Sequence, residues 1–180
     1  MTVHNFAESL AKSHAQEEAP WWREVYRKAF PGFLAMHSVR QDGWAQRGGI
    51  DRKIILASGK TVDVDEKVRE KDWPDILLER WSDQKNRKAG WIQKDLACDY
   101  IAYAFIPSQV CYVFPFLQLR MAWIKNGREW IDLYQPVLAE NEGYVTESIP
   151  VPIGELVSAV EKAMTVQWHD KGGQDDRLIR

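Results

Sequence analysis

The tightest constraint on how this chain folds lies in residues 49–69. Thr61 to Arg69 alternates: Val62, Val64 and Val68 fall on one side, and Asp63, Asp65, Lys67 and Arg69 on the other. Successive side chains of a strand point to opposite faces, so a period of two is satisfied by a strand buried on one face only. Upstream, Gly49-Ile50-Asp51-Arg52-Lys53-Ile54-Ile55-Leu56 places an isolated acid before an apolar run, and Ala57-Ser58-Gly59-Lys60 supplies turn chemistry between the two. The pattern predicts a β-hairpin. Its polar face carries Asp65 and Lys67 side by side, and the pairing brings Asp51 opposite them.

Two carboxylates on one surface repel each other and call for a counter-charge. A hard divalent cation such as Mg2+, with Mn2+ as a substitute, takes oxygen ligands and meets that need. Such an ion polarises a phosphoryl oxygen and lowers the pKa of a bound water. A lysine beside it orients the water and stabilises developing negative charge. Asp51, Asp65 and Lys67 are therefore candidate catalytic residues for metal-assisted hydrolysis of a phosphodiester, with Asp51 and Asp65 as metal ligands.

Asp51 followed across a hairpin by Asp65-Glu66-Lys67 resembles the PD-(D/E)xK nuclease superfamily, whose fold is the restriction-endonuclease-like one. The resemblance covers residues 49–67 at the level of the motif and roughly 5–125 at the level of element order. It implies an αβββαβ core and a nuclease acting on DNA, and adds the backbone carbonyl of Glu66 as a metal ligand. It also implies that an acid from an N-terminal helix can join the site, with Glu24 the foremost donor and Glu17 and Glu18 behind it. The chain departs from the pattern at Gly49-Ile50, where a proline often precedes the first Asp. Phage, repair and restriction settings all suit the superfamily.

The 180 residues suit one domain, read as 1–168 with a frayed tail over 169–180. A net charge of -2 does not announce a nucleic-acid binder, so a nuclease of this composition needs a local basic patch. Nine tryptophans are many, and their large contact area with a polar handle suits a groove or an interface as well as a core. Cys98 and Cys111 give no disulfide framework and no zinc spacing. With no signal pattern and no apolar run of spanning length, the expectation is a cytoplasmic protein without a membrane partner.

Helical spacing is read over Val3–Glu18 and again over Trp21–Phe30, before Pro31-Gly32. Phe33–Val39 is a candidate strand and Gln41–Gly48 a loop, from which Gln46 could hold substrate or water and Arg47 could reach a phosphate. Asp75–Trp81 is expected as a strand pairing with the hairpin, with Glu79 a candidate accessory acid. Ser82–Gly90 reads as a basic, mobile loop whose Lys85, Arg87 and Lys88, with Lys94 beyond, are candidate phosphate contacts. Trp91 suits either base stacking or anchoring. Tyr100–Phe105 and Val110–Phe114 read as strands. Phe116–Asn126 is predicted helical with Leu117, Met121 and Ile124 aligned and Gly127 as the stop. Tyr144–Val151 is predicted as an edge strand because of Pro150, and Ile153–Met164 as a final helix with Leu156, Val160, Ala163 and Met164 inward. The whole is α/β, a mixed central sheet flanked by helices.

A fold does not decide a function. The alternative to the nuclease is a non-catalytic nucleic-acid- or protein-binding accessory protein of the same fold, with a protein partner or a homodimer favoured by the charge and the tryptophans. A third reading, a hydrolase using Asp and His, finds His4, His14, His37 and His169 scattered.

Overall fold

The structure, a computed structural model, describes residues 19–169. The helix read over Val3–Glu18, with Glu17 and Glu18, and the tail from residue 170 lie outside them. In chain order the elements are α1 (Trp21–Ala29), β1 (Phe33–Ser38), α2 (Gly43–Gly48), β2 (Arg52–Leu56), β3 (Thr61–Arg69), β4 (Asp75–Asp83) and β5 (Lys88–Ala89). There follow β6 (Tyr100–Phe105), β7 (Val110–Pro115), α3 (Phe116–Leu133), β8 (Val137–Asn141), β9 (Tyr144–Pro152), α4 (Ile153–Ala159) and β10 (Met164–Gln167).

The predicted hairpin forms with Arg52 opposite Val64 and Ile54 opposite Val62. It sits inside a six-stranded mixed sheet ordered β1-β2-β3-β6-β7-β10. Strands β1, β2 and β3 pair antiparallel in sequence, whereas β3 and β6 are parallel, with Asp65 beside Ile101 and Lys67 beside Tyr103. A parallel pair requires a crossover. Here it is made by β4, β5 and the segment after them; β4 and β5 join the later β9 and β8 in a second, four-stranded antiparallel sheet ordered β5-β4-β9-β8.

Each face of the large sheet has its own core. Against the valine face α1 packs Trp22, Val25, Tyr26 and Ala29 over Ile54, Val64, Ala102 and Val113. On the other face Ile101, Tyr103 and Phe114 meet Ile76, Leu78, Ile149 and Val151 of the small sheet, with Leu119 and Trp130 of α3. The fold is thus mixed α/β, but a helix alone covers only one face of the large sheet; the small sheet and α3 share the other.

Several elements differ from expectation, each for a physical reason. Gln41–Gly48 is not all loop: Asp42 caps α2 by accepting from the Trp44 and Ala45 N–H groups, and Gly49 closes it at φ 66°. β4 does not pair with the hairpin, because β2 and β6 already occupy both edges of β3. Ser82–Gly90 is a β4–β5 hairpin rather than a mobile loop; the Asp83 carboxylate accepts from the Asn86 N–H (3.2 Å) and amide (2.6 Å). β9 lies between β4 and β8 instead of at an edge. Its Pro150 and Pro152 fall beyond the last β8 pair, Val137 with Ser148, where one side is open.

Helix α3 runs on through Gly127, where a Cβ would stand 3.0 Å from the Trp123 ring, so the glycine there makes room for that ring instead of ending the helix. Its buried side is Phe116, Leu119, Ala122, Trp123 and Trp130, so the aligned Leu117, Met121 and Ile124 are the exposed face. The final helix stops at Ala159, and Met164 instead opens β10 against β7.

Glu66 lies on the valine face of β3 with its side chain wholly buried. It accepts from Tyr26 Oη (2.5 Å), Arg52 Nε (2.7 Å) and Arg40 Nη2 (2.8 Å). A buried carboxylate survives only when paired and hydrogen-bonded, and removing one partner strands the others. Glu66→Ala is expected to cost about 3–5 kcal/mol in urea unfolding. A loss of less than about 1 kcal/mol would show that this network does not hold α1 to the sheet.

Candidate active site

The polar face of β3 looks into the gap between the two sheets, where a cleft of about 620 Å³ opens. Asp51 precedes β2, and its N–H donates to the carbonyl of Val64 (2.9 Å), the residue already opposite Arg52, so the regular pairing ends there. The Asp51 carboxyl is nevertheless within hydrogen-bonding reach of Asp65. The Asp51 carboxylate accepts from the Glu66 N–H (2.8 Å) through Oδ2 and pairs with Arg40 (3.0 Å) through Oδ1. Lys67 Nζ donates to both oxygens of Asp65, at 2.7 and 2.8 Å, and sits 5.8 Å from the centre of the Trp91 ring.

Charge in this cluster is finely balanced. Burial pushes the Asp65 carboxyl up, Lys67 pulls it back, Asp51 pushes it up again, and it stands at about 6. Burial draws the Lys67 ammonium down, but Asp65, with Asp51 and Glu79 behind it, more than offsets this and holds it above its ordinary value. Lys67 is therefore charged at neutral pH and can donate hydrogen bonds or stabilise an anion; it is not a resting-state base. Cys98 nearby is pushed up to about 12, by burial first and then by Asp65, so its thiol is inert.

The cleft gathers Gln46, Arg47, Lys94 and Glu79 around Asp51, Asp65 and Lys67. Glu79 arrives from the small sheet, where its Oε1 also accepts from the Trp91 N–H (3.2 Å). Trp91 is buried and anchors the cleft wall. Lys85, Arg87 and Lys88 do not line the cleft; they belong to the β4–β5 turn, where Lys88 reaches Asp83 at 3.7 Å. Glu24 does not join the site: it stands on α1, across the sheet, paired with Lys28 at 2.7 Å. The Glu66 side chain points into the opposite core, which leaves only its backbone facing Asp51.

Arg40 was not foreseen from the sequence. It bridges Asp51 and Glu66 (2.8 Å) and so joins the site to the buried network. Nothing in the local pattern singles it out, because it reaches Asp51 from just past the end of β1, next to Val39, whose N–H donates to the Asp51 carbonyl (2.9 Å).

No cluster of three or more His, Cys, Asp or Glu side chains is disposed to hold a metal among the described residues. The oxygen donors that the site brings together are the two carboxylates of Asp51 and Asp65. That is the oxygen-only, ligand-poor set that Mg2+ accepts when substrate oxygens and water complete its shell. Burial makes the Asp65 charge costly, and a cation between Asp51 and Asp65 would offset that cost. No family model matches the chain, and neither a curated protein nor a solved structure is detectably similar to it. No helix among the described residues is long and apolar enough to cross a membrane.

The Asp65 carboxyl binds its proton more tightly in the folded protein, at about 6, than at its ordinary 3.8. Its stabilising contribution is fully present below pH 3.8 and is lost as pH rises through 6. Asp65→Asn cannot titrate, so its stability relative to the parent should improve from pH 4 to pH 7, by up to roughly 3 kcal/mol. Urea titrations of the metal-free proteins across that range measure it. A constant difference would show an ordinary carboxyl.

Proposed function

We propose that this protein is a Mg2+-dependent hydrolase of phosphodiester bonds, a nuclease of the PD-(D/E)xK kind with DNA as its substrate. The observation that carries the reading is the joining of Asp51, Asp65 and Lys67 in one cleft, where burial, with Asp51 beside it and against the pull of Lys67, pushes the Asp65 carboxyl up to about 6. The order α1-β1-β2-β3 followed by a strand parallel to β3 supports the restriction-endonuclease-like fold. One departure stands against it: β4 and β5, not a helix, fill the crossover from β3 to β6.

Asp51, Asp65 and the Glu66 carbonyl would hold the cation, which when bound would supply Lewis-acid stabilisation of the phosphoryl oxygens. The chain's own groups do the rest. Asp51 is fixed from behind by Arg40 and the Glu66 N–H, so its carboxylate does not have to be ordered at the moment of binding. Lys67, kept charged by Asp65, orients the attacking water and stabilises the charge that develops on the phosphate. Gln46 and Glu79 stand close enough to hold the water or the substrate, and Arg47 and Lys94 offer phosphate contacts at the rim.

The ion pairs of Lys67 with Asp65 and of Arg40 with Asp51 also balance the acids without any metal, and this favours a second reading: a non-catalytic accessory protein of the same fold. Calorimetry with Mn2+ and cleavage assays in Mg2+ separate the two. Asp51→Asn and Asp65→Asn should abolish Mn2+ binding. Lys67→Met should cut at least about a hundredfold more slowly while still binding substrate. If neither the parent nor any variant binds Mn2+ or cuts DNA, the accessory reading takes over.

A further inference from the structure

The tryptophans divide sharply. Seven of the nine are buried or half-buried; Trp44 (81%) and Trp73 (48%) are exposed. Single exposed aromatics are ordinary, but these two share a setting. Each carries a guanidinium over its ring, Arg47 at 5.1 Å from the Trp44 ring and Arg69 at 6.0 Å from the Trp73 ring. Both arginines line the cleft that holds Asp51, Asp65 and Lys67.

The placement follows from the chain path. Trp44 and Arg47 belong to α2, from which the chain passes straight into Asp51. Arg69 shares the polar face of β3 with Asp65 and Lys67, four residues beyond Asp65, about 13 Å along the strand. It is fixed there by the Tyr103 hydroxyl at 3.1 Å, and Trp73 follows in the connection to β4. Neither ring itself lines the cleft; each adjoins it through its arginine, Trp44 at the α2 end and Trp73 beyond the far end of β3, where a polymer lying along the strand would leave the cleft.

We propose that the cleft takes a single-stranded polynucleotide, with unpaired bases stacking on Trp44 and Trp73 and phosphates meeting Arg47, Arg69 and Lys94. An aromatic face paired with a cation is what unstacked bases on a charged backbone select, and it is of no use to a duplex, whose bases are already stacked. Stacking also accounts for a binder whose net charge is -2, because affinity then rests on ring contact more than on bulk electrostatics. The inference deepens the nuclease reading by naming the form of its substrate.

The test is binding in EDTA, where no hydrolysis intervenes. Oligo-dT, oligo-U and a DNA duplex of equal length are titrated against the full-length protein by anisotropy and by quenching of tryptophan fluorescence. A single strand, as DNA or RNA, should bind at least about tenfold more tightly than the duplex. Three phosphate contacts at about 0.7 each give a salt slope near -2. Trp44→Ala and Trp73→Ala should each weaken single-strand binding by about tenfold, while Trp44→Phe and Trp73→Phe keep most of it. Thermal melts of each variant check that folding is intact, and Mn2+ affinity should not move. A duplex bound as tightly as the single strand, a double alanine variant that binds like the parent, or no single-strand binding at all overturns the inference. Duplex cleavage with Mn2+ binding would then leave the hydrolase standing. Single-strand binding without cleavage would sink the hydrolase and keep the inference.

Discussion

The structure depends on how charge is buried on the two sides of one strand. β3 carries Glu66 inward to α1 and Asp65 and Lys67 outward to the cleft. Burying a carboxylate is costly unless cations and hydrogen bonds meet it. Glu66 is met by Arg52, Arg40 and Tyr26, which draws together β2, the end of β1 and α1. Arg40 then reaches past Glu66 to Asp51, and the Glu66 N–H donates to the same carboxylate. The network behind the strand thereby sets the position of an acid in front of it.

In front of the strand the balance is left less complete. Lys67 answers Asp65 and Arg40 answers Asp51, yet Asp65 still holds its proton to about 6. Burial is what holds that proton, and a carboxyl shifted by burial beside a specific charge partner in a cleft marks a candidate functional site. The small sheet makes the wall. By bringing Glu79 and Trp91 over the Lys67 ammonium it keeps this region partly dry, which strengthens every charge interaction within it.

The legible part of the site is the part made by local pairing. Asp51, Asp65 and Lys67 are separated by one turn, and a hairpin's register follows from its turn and from which face is apolar. Gln46 and Arg47 were within reach because α2 leads straight into Asp51. Glu79 sits on the strand expected for it, but that strand reaches the cleft from the second sheet, and Lys94 reaches it from the segment after β5; neither approach is local in sequence. Lys85, Arg87 and Lys88 were attractive for their charge alone, and charge does not say where a turn will point. Arg40 had no local signature at all. Helix α3 shows the same limit: Leu117, Met121 and Ile124 have good helical spacing, but the bulkier Phe116, Trp123 and Trp130 took the core.

The sequence by itself determined the α1 helix, the hairpin of β2 and β3, the face of that hairpin that bears charge, and the strands β6 and β7. These rest on period, turn residues and near-neighbour pairing, all short in sequence range. Tertiary structure alone decided that β3 lies parallel to β6, that β4 leaves the hairpin for a sheet of its own with β9, and that the gap between the sheets becomes the cleft. Those choices depend on which strand edges remain open and which apolar faces must be covered. Such contacts, between residues tens of positions apart, leave no periodic trace in the chain.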